Sequence, residues 1–249
     1  MAWWAILLLF VTGIFAGFIN TLAGAGSVLS LAVMNLLGLP LDVANGTKRV
    51  AVLFQVGVAV TRFKQQGRLE VRKHIGLIAP AMVGGVLGAL AAGQVDAEVF
   101  RRSVGICMLI VLGLLFLKPK RWLEGNVERQ YQKTGPGRVI SFFLIGLYGG
   151  YIQVGVGVFL LTALVLVAGV DLVKGNALKA LLALCFTVPS LIIFSMNDLV
   201  RWDVGLPLAA GSMLGAWLAT HEAAKRGAPF IRWLLIVVVT LSAIFYLFF

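Results

Sequence analysis

Residues 17–27 read Gly17-Phe18-Ile19-Asn20-Thr21-Leu22-Ala23-Gly24-Ala25-Gly26-Ser27. They join an apolar stretch over residues 3 to 22 to a second one over 27 to 38. The first has the roughly 20 residues needed to cross a hydrocarbon core about 30 Å thick, whereas the second makes a helix of only about 18 Å. Glycine tolerates left-handed or tightly folded backbone. Backbone broken at membrane depth survives only where protein buries it or where it lines a cavity. The stretch therefore predicts a re-entrant or half-helix element, whose N-terminus offers unpaired N–H groups and a positive dipole end suited to an anion. A similar break, Gly155-Val156-Gly157-Val158, precedes a short apolar stretch over 157 to 169.

The rest of the chain fits a membrane setting. Of 249 residues, 60% are hydrophobic and only 12% charged, with a mean hydropathy of +0.99, against roughly 25% charged in a soluble domain. Further apolar stretches cover 46 to 61, 75 to 93, 102 to 117, 137 to 153, 176 to 196, 203 to 220 and 230 to 249. The longest connection, Lys118 to Arg138, divides the chain near its middle. The expected division is a first repeat over 1–117, a cytoplasmic linker over 118–136 and a second repeat over 137–249, forming one transmembrane domain.

Charge sets the expected orientation. Short cytoplasmic loops accumulate Lys and Arg, and the basic clusters Arg62 to Lys73 and Lys118 to Arg138 are two crossings apart, so both can face the cytoplasm. Of the 21 Lys and Arg, this places sixteen inside and five outside, the latter being Lys48, Arg49, Arg101, Arg102 and Arg201, with both termini outside. The net charge of +11 then reflects topology, and no nucleic-acid partner is expected.

The two halves match at fixed offsets. Gly24, Gly26, Gly38, Asn45 and Lys48 pair with Gly155, Gly157, Gly169, Asn176 and Lys179; after a shorter loop, Pro80, Gly84 and Gly88 pair with Pro207, Gly211 and Gly215. Five segments per repeat is an odd number, so the halves have opposite membrane orientation. The expected fold is an all-α polytopic membrane protein with an inverted 5+5 repeat, about eight full crossings and two short broken or re-entrant helices. Inverted repeats recur in secondary transporters, with substrate held near the midplane by discontinuous helices.

The sequence resembles the sulfite exporter TauE/SafE family of membrane permeases. The resemblance rests on Gly17 to Ser27, on Ala44-Asn45-Gly46-Thr47, on the second break around Gly149 to Gly157, and on the hydropathy and two-repeat plan of the chain. It implies a bacterial inner-membrane carrier for small sulfur-containing or related anions, such as sulfite or organosulfonates, and adds Thr47 to the residues of interest.

Asn20 and Thr21 close the first stretch, where they either bond neighbouring helices or line a substrate path. Ser27 either caps the following half-helix or meets an oxyanion. Lys48 and Lys179, each three residues after an asparagine (Asn45 and Asn176), are expected in the first turn of a helix, where a cation opposes the dipole. A bound anion or snorkelling to headgroups would offset that. The candidate substrate site is therefore Asn20, Thr21, Gly24, Gly26, Ser27, Thr47, Lys48, Gln153, Gly155, Gly157, Asn176 and Lys179. Gln55 is a further polar group able to donate to an oxyanion, Tyr148 and Tyr151 rank lower as packing or interfacial residues, and His74 and His221 read as loop residues. Gly13/Gly17, Gly84/Gly88 and Gly211/Gly215 form close-packing faces. Every Asp and Glu falls in a connection or at a helix end. No catalytic residues, metal or cofactor are expected. Transport by alternating access is the expected function, with a passive anion channel or an accessory protein without flux as alternatives.

Overall fold

A computed structural model describes residues 1–92 and 135–248, together with Leu109, Gly113 and Asn126. The expected segment over 102 to 117 and most of the linker therefore lie outside the described residues. Those described are all-helical: α1 is Trp3–Leu22, α2 Ser27–Leu36, α3 Leu41–Gln65, α4 Val71–Leu90, α5 Pro136–Tyr151, α6 Val156–Leu166, α7 Leu172–Met196 and α8 Trp202–Phe248. Gly227, with φ 68° and ψ −162°, breaks α8 into two arms. The expected loop over 221 to 229 is thus a single non-helical residue.

Local chemistry sets the helix ends. Asp171 accepts from the N–H groups of Val173 and Lys174, both at 3.0 Å, and so caps α7. Asp42 sits in the first turn of α3 and Arg62 and Lys64 in its last, which suits the helix dipole at both ends. Both α3 and α7 begin about four residues earlier than the apolar pattern suggests. Asn45 and Asn176 are therefore inside helices, and Lys48 and Lys179 are each the eighth helical residue rather than first-turn residues.

Helices α1 and α7 are long and apolar enough to cross a membrane; α2, α6 and His74–Leu90 of α4 are apolar but shorter. Large apolar side chains point outward, including Trp3, Phe15, Ile75, Leu144, Ile192, Trp217 and Leu241. Small residues and polar groups gather inside. Such a surface is matched to lipid, because in water it would form apolar patches far beyond those of a soluble monomer.

Two interfaces share one construction. In the first, Gly13 and Gly17 of α1 lie against the backbone of Leu208 and Ser212, while Gly211 and Gly215 of α8 lie against Phe10 and Ile14. In the second, Gly146 and Gly150 of α5 lie against Ala81 and Gly85, while Gly84 and Gly88 of α4 lie against Phe143 and Leu147. Each pair runs parallel, and a Cβ at any of these eight glycines would overlap the facing backbone. Helix α3 also runs parallel to the first arm of α8, from the Thr47–Arg201 contact to the Gln66–Thr220 contact. It lies antiparallel to α7, with Gly46 and Arg49 near its start meeting Phe194 near the end of α7.

Candidate functional site

The two chain breaks meet. Gly24 (φ 84°) and Gly155 (φ 68°) both adopt left-handed backbone, which ordinary side chains rarely tolerate. Gly24 lies directly on Gly157, so that a Cβ on either would overlap the other's backbone. Gly26 is pressed against the carbonyl of Ala16. The starts of α2 and α6 are thus brought together inside the helix bundle.

Beside this contact is a small cavity. It is lined by Asn20, Thr21 and Ser27 of the first break, by Gln153, Val156 and Gly157 of the second, by Val52, Gln55, Val56 and Ala59 of α3, and by Lys179, Ala180 and Ala183 of α7. The centre of a water-sized sphere can move through about 20 Å³ of it, room for about one water. One end is polar and cationic; the wall of alanines and valines is apolar.

Hydrogen bonds tie the polar lining together. The Lys179 ammonium donates to the carbonyls of Asn20 at 3.1 Å and Thr21 at 2.7 Å, and to Asn176 Oδ1 at 2.6 Å. Asn20 Nδ2 donates to Gln55 Oε1 at 3.1 Å, and Gln55 Nε2 to Thr21 Oγ1 at 3.2 Å. Gln153 has left-handed backbone (φ 64°), and its Nε2 donates to Thr187 Oγ1 at 2.7 Å. A non-glycine residue held there costs on the order of 1–3 kcal/mol, and such strain clusters at functional sites. The buried Gln153 Oε1 and Asn176 Nδ2 have no protein partner among the described residues.

Lys48 is placed elsewhere. It donates to the Ile152 carbonyl at 2.6 Å, while Asn45 Nδ2 reaches the Tyr151 carbonyl at 3.0 Å. Arg49, counted in the sequence only as an outside charge, is fully buried. Its guanidinium donates to the carbonyls of Gly149 (3.3 Å), Gly150 (2.6 Å) and Tyr151 (3.2 Å) and lies 4.3 Å from the centre of the Phe194 ring. The lysines and arginine thus neutralise the negative, C-terminal ends of α1 and α5, which explains how they are accommodated without the first-turn compensation expected. One signal pointed to Arg49: adjacent cations on the side where the charge rule places few.

The remaining candidates divide accordingly. Asn20, Thr21, Ser27, Gln153, Gly157 and Lys179 line the cavity; Gly24 packs on the lining residue Gly157, whereas Gly26 and Gly155 are not among the lining residues; Asn176 orients Lys179. Ser27 is the first helical residue of α2 and makes no cap bond. Thr47 Oγ1 accepts from the Arg201 N–H at 3.0 Å, at the start of α8 and away from the cavity. His74 is buried within α4 rather than in a loop. Lys48, Arg49 and Lys179 are buried, yet among the described residues no Asp or Glu is.

Helices that are apolar outside, small-residue packed inside and broken around a buried polar cavity define the class of a polytopic helical membrane protein. The model of the Sulfite exporter TauE/SafE family matches residues 9–246, and the chain belongs to that family. It is similar to Probable membrane transporter protein ORF9 of Sinorhizobium sp, with 31% identity covering 92% of this chain and 87% of that protein. It is also similar to Probable membrane transporter protein YfcA of Escherichia coli K12, with 28% identity covering 92% and 85%, and to a Probable membrane transporter protein of Haemophilus influenzae, with 25% identity covering 92% and 89%. No solved structure matches it. The chain is a membrane protein of a transporter family.

Proposed function

We propose that this chain carries a small anion, a sulfur oxyanion or organosulfonate, across the bacterial inner membrane by alternating access. The observation that supports this best is Lys179, a buried ammonium lining the cavity where two broken helices meet, with no buried carboxylate among the described residues. A buried charge requires compensation. Carbonyl dipoles supply part of it in the closed arrangement, and an anion would complete it. The first-turn groups of α2 and α6 add N–H donors and positive dipole ends at the same place.

The two halves, 1–117 and 137–249, are inverted repeats joined by the 118–136 linker, in a fold of about eight crossings with both termini outside. Supporting this are the matched left-handed glycines, the two parallel glycine interfaces and the antiparallel pairing of α3 with α7. Alternating access then amounts to a rearrangement of the two broken helices about the Gly24–Gly157 contact, with the α1–α8 and α4–α5 pairs moving as units. Asn20, Thr21, Ser27 and Gln153 shape the site, and Lys179 supplies its charge.

The test is flux through purified protein in liposomes. Saturable uptake of labelled sulfite or a short sulfonate, with counterflow, is the expected result. Conductance that rises linearly with concentration would mean a channel, and absence of flux across a broad anion panel would overturn transport.

A further inference from the structure

The ends of α1 and α5 occupy corresponding places but are held very differently. The last turn of α5 receives five side-chain hydrogen bonds, from Asn45, Lys48 and Arg49. The last carbonyls of α1 receive two, both from Lys179. At the offset that pairs Lys48 with Lys179, the counterpart of Arg49 is Ala180, and Ala180 lines the cavity. Where one half of the core is filled by a guanidinium stacked on Phe194, the other has a methyl group and open space.

Lys179 is consequently the buried cation whose partners can be exchanged. An anion entering the cavity competes with the Asn20 and Thr21 carbonyls for the same ammonium, and winning that competition frees the end of α1. Arg49 cannot respond in this way, because its guanidinium is bonded to three successive carbonyls and does not line the cavity.

We infer that the core is asymmetric by construction: Lys179 faces the cargo and releases the end of α1 when cargo binds, while Arg49 is a positioning residue that pins the end of α5. The cargo clause rests on the proposed anion transport; the unequal tethering of the two helix ends does not.

Amide hydrogen exchange on the full chain in lipid nanodiscs tests both clauses. The reporters are the amides of Ala23 and Gly24, which bond the Ile19 carbonyl, and those of Ile152 and Gln153, which bond the Tyr148 carbonyl. Without added anion, the α1 reporters should exchange about tenfold faster or more. Arg49→Met should accelerate the α5 reporters alone, and Arg49→Lys should restore much of their protection. Ala180→Arg should slow the α1 reporters. Sodium sulfite or sodium ethanesulfonate should change only the α1 reporters, and Ala180→Arg should abolish that response. Equal protection of the two ends, or an anion response of equal size at α5, would overturn the inference. Unequal ends with no response to either anion would support the pinning by Arg49 and overturn the cargo clause, whereas the transport premise falls only if liposome flux is also absent across the anion panel. If Arg49→Met does not fold, the wild-type comparison and Arg49→Lys, with a partial rise confined to α5, decide the matter.

Discussion

Lys179 shows how little of a buried site one side chain reveals in sequence. Its position in a repeated Asn-x-x-Lys pattern was legible, but its partners, Asn20 and Thr21, are more than 150 residues away. Its role at the C-terminal end of α1 depends on packing that spacing does not encode. Arg49 was less legible still, because it counted only as an outside charge near the expected start of a helix. A charged hydrogen bond contributes about 1.5–3 kcal/mol. Lys179→Met is therefore expected to weaken anion affinity roughly 10- to 100-fold, and Lys179→Arg to retain part of it, as read by titration with labelled sulfite or sulfonate. Arg49→Met removes three hydrogen bonds to carbonyls of the α5 end, so it should lower unfolding stability by about 3 kcal/mol or more. Denaturation in detergent, compared with Arg49→Lys, measures the difference.

At the scale of elements, the breaks were readable because arithmetic forces them: a stretch of twelve apolar residues cannot span a bilayer. Gly24 and Gly155 were also readable as breaks, and both prove left-handed. The close-packing glycines were recognised on α1, α4 and α8, but Gly146 and Gly150 of α5 were not. They pair with Gly13 and Gly17 at an offset two residues longer than the one that holds after the break, so a fixed comparison passes over them. Gly211→Leu should drive α1 and α8 apart, since even a Cβ overlaps the Phe10 carbonyl; overpacking of this kind typically costs about 1–3 kcal/mol or more. Gly57 provides the contrast. Nothing lies within 4 Å of a Cβ placed there, and replacing a helical glycine by alanine removes a penalty of about 0.5–1 kcal/mol. Gly57→Ala should raise the melting temperature slightly while Gly211→Leu lowers it, in one thermal-unfolding series.

At the scale of the molecule, composition pointed to a membrane protein because the outward-facing side chains must match lipid, and the glycine matches underlie the proposed duplication. The charge count was less exact in its details: Lys48, Arg49 and Lys179, counted among the charges that set topology, are buried in the core. Removing them leaves the proposed orientation stronger, since two of the five outside charges disappear against one of sixteen. Single cysteines should report it directly. Asn197→Cys, at the end of α7, should react with an impermeant maleimide in intact cells, whereas Gln66→Cys, at the end of α3, should react only after permeabilisation; the reverse pattern would invert the topology. The proposed transport turns on a buried cation that binds an anion where two broken helices meet. Equilibrium binding of labelled sulfite, or of a short sulfonate, to the purified wild-type chain and to Lys179→Met tests this most directly. Saturable binding of one anion per chain, weakened roughly 10- to 100-fold in Lys179→Met with the fold intact, is the predicted result. Equal affinity in the two proteins would contradict it.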